Sequence, residues 1–75
     1  MLTTLNSLDV GQDGRVCGIN TDGGIRRRLL DMGLIEGTRV SCLFKSLAGD
    51  PAAYHIRGAV IALREDDSAF IDIET

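Results

Sequence analysis

Few side chains in this chain can do nucleophilic or acid–base chemistry. Those that stand out are one histidine, His55, two cysteines, Cys17 and Cys42, and an acid run, Glu65-Asp66-Asp67. A hydrolase or transferase needs a nucleophile, a base and a third group that orients the base. His55 has no acidic neighbour in sequence and neither cysteine sits in a reactive motif, so the expectation is that this is not an enzyme. The same residues are ligand types for a transition metal, but none shows ligand spacing, and no metal site or cofactor is assigned. What remains is cationic: Arg26, Arg27 and Arg28 stand together in an otherwise acidic chain of net charge −3. Three guanidiniums on one short element build a strong local potential suited to an acidic partner surface. The competing reading is a solvated helix face, with long stems covering apolar surface and charged heads in water.

The element that must carry the arginines is a short helix. Ile25, Leu29 and Met32 fall at i, i+4 and i+7, one apolar face, and Leu30 widens it. Asp22 is the expected cap at its start. Gly33 stands where helices end in a left-handed residue, and Leu34 and Ile35 are placed to fold back over the last turn. Such a helix is too short to persist alone and must dock on something.

The rest of the chain supplies strands. Leu2, Leu5 and Leu8 open it, and Arg15 to Asn20 reads as a strand with a bulge near Cys17-Gly18 that brings both Val16 and Ile19 inward. After Gly37 the alternation puts Val40, Cys42 and Phe44 on one face and Arg39, Ser41, Leu43 and Lys45 on the other. Gly49-Asp50-Pro51 marks a turn. In the strand from Ala52 to Arg57, Tyr54 and Ile56 face one way, and Ala53, His55 and Arg57 the other. Gly58 breaks the chain before the apolar run Ala59–Leu63; Glu65 to Ser68 reads as one helical turn, and Phe70 to Glu74 alternates again. About five short strands, tight turns and one inserted helix make a mostly β fold. The expected architecture is a small SH3-like β-barrel over residues 1–75, with the helix packed on one open end or side.

Bulk properties narrow the function. Seventy-five residues make one small domain with no room for a cleft between domains, and 44% apolar content suffices for a core. The negative net charge argues against a nucleic-acid binder. Of the aromatics Phe44, Tyr54 and Phe70 that could stack on bases, two read as buried. No apolar stretch approaches a membrane span and the N-terminus is unlike a signal peptide, which makes a cytoplasmic location the expectation. There the two cysteines read as small buried hydrophobes, or as one buried and one surface thiol, rather than as a disulfide. A weak homo-oligomer is a further possibility, with Leu43 and the edge of the last strand pairing with another copy, restrained by Asp72 and Glu74.

Two separated motifs carry a family resemblance. Arg27-Arg28-Leu29-Leu30-Asp31-Met32-Gly33-Leu34-Ile35-Glu36-Gly37-Thr38 is followed by Leu47-Ala48-Gly49-Asp50-Pro51-x-x-Tyr54-x-Ile56-Arg57-Gly58 and Ile61-Ala62-Leu63-Arg64. With that order and spacing, from about Leu5 to Glu74, the chain resembles the FeoA family, ferrous iron transport protein A of bacteria. Departures are Glu36, where the family usually has proline, and Ala48 before Gly49-Asp50-Pro51; both lie in loops. The resemblance implies an SH3-like barrel that assists FeoB, the membrane ferrous iron transporter with a cytoplasmic GTPase region. It acts there as an accessory or regulator. On the matching positions, the partner surface is expected at Arg26, Arg27, Arg28, Leu29 and Leu30 on the helix and at Gly49, Asp50 and Pro51 in the turn. The C-terminal domain of iron-dependent repressors shares the architecture, which gives the alternative of a metal- or peptide-binding regulatory module. The start at Met1 and the lack of a helix-turn-helix favour an accessory protein.

Overall fold

The computed structural model describes residues 1–75, and the chain folds as six antiparallel strands in one sheet. The strands are β1 (Leu2–Thr4), β2 (Asp13–Ile19), β3 (Arg39–Lys45), β4 (Ala52–Ile56), β5 (Ala59–Leu63) and β6 (Ile71–Glu74). The helix α1 (Gly23–Asp31) lies between β2 and β3, and the single turn α2 (Glu65–Ser68) lies between β5 and β6. A 3₁₀ turn, Leu5–Ser7, follows β1. The strand order is β1-β6-β2-β3-β4-β5: a meander from β2 to β5, with β6 returning to pair with both β2 and β1. Between the two edge strands, the 3₁₀ turn meets α2, and the Asn6 side chain donates to Glu65 at 3.3 Å. The mostly β, SH3-like expectation holds, with six strands where the alternation suggested about five.

The bulge in β2 falls between Val16 and Gly18, as the broken alternation requires. Val16 is buried and Ile19 packs against the core, so one extra residue turns both inward. A second bulge, between Cys42 and Phe44, is absent from the sequence pattern. It reverses the facing of the end of β3, so that Phe44 is 60% exposed rather than inward. Of the three aromatics only Tyr54 is buried, since Phe70 is also exposed. Ala53 departs from expectation the other way. It lies on the outer face but is buried, a methyl group paired across the ladder with the much larger Phe44.

The helix terminates by a complete Schellman motif. The Leu34 N–H donates to the Leu29 carbonyl at 3.1 Å and the Gly33 N–H to the Leu30 carbonyl at 3.0 Å. Gly33 has φ +98°, a left-handed conformation that selects glycine, while the nearest atom to a Cβ there would be Cδ of the exposed, flexible Arg57 side chain. Leu29 and Leu34 are fully buried on either side of this stop. Asp22 occupies the N-cap position with extended backbone, but its side chain makes no capping hydrogen bond. The predicted apolar face is only half used: Met32 packs against the core, whereas Ile25 is 44% exposed. The apolar anchorage of the helix lies in its C-terminal half, at Leu29 and Met32. The last strand is also not an edge: β6 lies between β1 and β2, and the edges are β1 and β5.

Candidate functional site

The three arginines have different surroundings. Arg26 donates from Nη1 to the Ile19 carbonyl at 3.0 Å, which ties the helix to the end of β2. Arg28 pairs with Asp67 of α2 at 2.7 Å; its side chain is 55% exposed and that of Asp67 17%. The Arg27 side chain is exposed and makes no hydrogen bond or ion pair within the chain. Sequence reasoning gave none of the three a folding task, and two have one. Leu29 is fully buried in the core and offers a partner nothing in the folded protein. Leu30 is half-buried and lines a shallow groove with Gly23, Gly24, Arg26, Arg27 and Asp31.

The Gly49-Asp50-Pro51 turn joins β3 to β4. The Gly49 N–H donates to the Ser46 carbonyl at 2.8 Å, and the Ser46 N–H to the Pro51 carbonyl at 3.1 Å. Asp50 Oδ1 accepts the Glu65 N–H at 2.9 Å, satisfying one of the free donors in the first turn of α2. The residue at the N-cap of α2, Arg64, supplies no side-chain bond of its own. Asp50 therefore caps α2 from a distant loop, as Arg28 grips Asp67 in the same turn. The two segments assigned to partner binding both end on α2, a link that no sequence spacing displays.

Beside the turn is a depression of about 160 Å³, with Tyr54, Ser68, Ala52 and Leu63 below and Lys45, Asp50 and Glu65 at the rim. That is smaller than the several hundred Å³ typical of small-molecule sites. Ser68 is buried and donates to the Arg64 carbonyl at 3.2 Å. Burial pushes the Tyr54 phenol above its ordinary range, with Ser68 pulling the other way.

His55 is exposed on the outer face, opposite Ser41 and Val60, in a groove shared with Thr38, Arg39, Arg57 and Gly58. Neither cysteine is paired: Cys42 is buried, and Cys17 half-buried. Partial burial and then the carboxylates of Asp72, Glu74 and Glu36 hold the Cys17 thiol up, the opposite of an activated nucleophile. On the neighbouring strands β3 and β2, Arg39 grips Asp13 at 2.6 Å and 3.1 Å, and this hydrogen bonding holds the Asp13 carboxyl below its ordinary 3.8.

A model of the FeoA domain family matches residues 3–75. A curated relative, an Fe(2+) transport protein A/Fe(2+) transporter FeoB fusion protein of Porphyromonas gingivalis, is 29% identical over 70 residues. The match takes in 93% of this chain and 8% of that protein, so this chain corresponds to a small part of the fusion. Among solved structures, an FeoA-like protein from Clostridium acetobutylicum superposes with a TM-score of 0.89 at 32% identity, covering 97% of this chain and 85% of the other. At the level of fold alone, Stenotrophomonas maltophilia FeoA, described as a prokaryotic SH3 domain protein, aligns with a TM-score of 0.86 at 22% identity, covering 96% and 89%. A manganese-dependent transcriptional repressor aligns with a TM-score of 0.86 at 19% identity, and 40% of that chain is covered.

Proposed function

The chain belongs to the FeoA domain family, which is linked to ferrous iron transport, and on that premise we propose that it is a cytoplasmic accessory protein of a FeoB-type ferrous iron transporter, acting by contact with the transporter's cytoplasmic GTPase region rather than by catalysis. The observation that carries this reading is the relative in which an equivalent segment and FeoB share one polypeptide. Linking two modules sets their effective concentration in the millimolar range for a short tether. A contact that works in that setting needs little intrinsic affinity, so a separate chain is expected to bind its transporter weakly. Ferrous ion is then the transporter's cargo.

Within the chain, the reading centres on Arg27. Its guanidinium is uncommitted, it borders the groove beside Leu30, and the helix beneath it is fixed by Leu29, Leu34 and the Arg28–Asp67 pair. Gly49, Asp50 and Pro51 form the second part of the proposed surface, with α2 holding it to the helix through Asp50 and Arg28. The charge contrast favours an acidic patch on the transporter. The test is titration of the purified protein against the soluble FeoB GTPase region, apo, with GDP and with a non-hydrolysable GTP analogue, followed by amide chemical shifts. Shifts grouped around Arg27 and the Asp50 turn are expected in at least one nucleotide state. No shift in any state at millimolar concentration refutes direct partnership.

A further inference from the structure

The edge strand β5 carries none of the usual defences of an exposed sheet edge. Its sequence, Ala59-Val60-Ile61-Ala62-Leu63, has no charge and no proline, and its pairing with β4 is regular over all five residues. Natural edges are normally blunted by lysine, proline, a bulge or a covering element. No element other than β4 packs extensively on β5, and Val60 is 62% exposed.

The ladder fixes which backbone groups are free. A two-residue connection, Arg57-Gly58, with φ +51° and +83°, joins β4 to β5, so Ile56 and Ala59 close the hairpin as a hydrogen-bonded pair. By alternation Ile61 and Leu63 also bond to β4, while the N–H and C=O groups of Val60 and Ala62 point away from it.

We propose that this edge pairs with β5 of a second copy of the chain, antiparallel and centred on Ile61. Only this centre sets the free groups of Val60 opposite those of Ala62 in both directions, giving four backbone hydrogen bonds about a two-fold axis. It also brings the two half-buried Ile61 side chains together as a directly opposed pair. The charges agree with this direction. The connection before β5, Arg57-Gly58, is basic, whereas the one after it, Arg64-Glu65-Asp66-Asp67, is acidic on balance, and an antiparallel pairing brings the basic turn of each copy towards the acidic end of the other. A parallel pairing would set like ends side by side. The proposal is independent of the transporter reading.

The test is covalent trapping of the intact chain, with Cys17→Ser to remove the half-exposed thiol. In the proposed register Ile61 forms a non-hydrogen-bonded pair with its Cα atoms about 4.5 Å apart, within the range of roughly 4.4–6.8 Å that a disulfide spans. Ile61→Cys should give a covalent dimer under mild oxidation, whereas Phe44→Cys, more exposed than position 61 but off the edge, should remain monomeric. Sedimentation of the unmodified protein should show a concentration-dependent dimer, which Ala62→Pro abolishes by removing an edge N–H that the fold itself does not use. Amide exchange at Val60 and Ala62 should slow as protein concentration rises. A monomer at every concentration, or cross-linking at position 61 no faster than at 44, overturns the proposal. Protection of Val60 and Ala62 only on adding the FeoB GTPase region also overturns it, and assigns the edge to a foreign strand.

Discussion

Replacing Arg26, Arg27 and Arg28 by glutamine one at a time should separate folding from binding, because the three side chains have different partners. Arg28→Gln removes an ion pair of 2.7 Å whose arginine is 55% exposed. Screening at that exposure limits its worth to about 0.5 kcal/mol. For a domain of this size the melting temperature should then fall by about 2–4 °C. Arg26→Gln gives up one bond to the Ile19 carbonyl at the rim of the barrel and should cost a similar amount or less. Arg27→Gln breaks nothing within the chain, and its melting curve should overlay that of the unmodified protein. Binding to the soluble FeoB GTPase region should rank the other way. A guanidinium that becomes partly desolvated against a carboxylate is worth about 1.4 kcal/mol, so Arg27→Gln should weaken affinity about tenfold. The salt dependence of binding should flatten at the same time. Calorimetry or fluorescence anisotropy at two ionic strengths, alongside thermal melts, gives both readouts. The reasoning fails if Arg27→Gln binds like the unmodified protein, or if it destabilises the fold more than Arg28→Gln does.

Other consequences concern the scaffold that presents this surface. Leu29→Ala should cost about 3 kcal/mol, a large part of what a domain of this size has, whereas Ile25→Ala on the same helix should cost well under 1 kcal/mol; urea unfolding measures both. Asp50→Ala should cost about 1 kcal/mol and loosen α2, while Asp50→Asn, which keeps an acceptor oxygen, should recover most of it; thermal melts and amide exchange at Glu65 distinguish the two. The lowered Asp13 carboxyl stabilises the folded state. That contribution is fully present above the ordinary 3.8 and is lost as pH falls through the folded value. Arg39→Gln should return the Asp13 titration, followed by carboxyl carbon shifts, to its ordinary range.

Much of the barrel was legible in local patterns, because each relied on rules that act within a few residues. The helix stop at Gly33, the β2 bulge and the single turn at Glu65–Ser68 follow from glycine conformation, from a broken period of two and from composition. The facing of Phe44 was not legible, since the β3 bulge is decided by how β3 meets β4 and leaves the alternation itself intact. Nor was the exposure of Ile25, for a helical face shows which residues share a side and not how far along the helix the contact extends.

By itself the sequence determined the family, the mostly β architecture, and the placing of three arginines on one short helix ahead of a glycine stop. Only the tertiary structure decided which of those arginines is uncommitted. Arg28 meets Asp67 and Asp50 meets the Glu65 amide across long separations in the chain, and β6 inserts between β1 and β2 to leave β5 as an open edge. The physical reason is one of range. Periodicity and turn chemistry act over a few bonds, whereas an ion pair, a cap donated by a distant loop and an unpaired strand exist only once remote segments have been brought together.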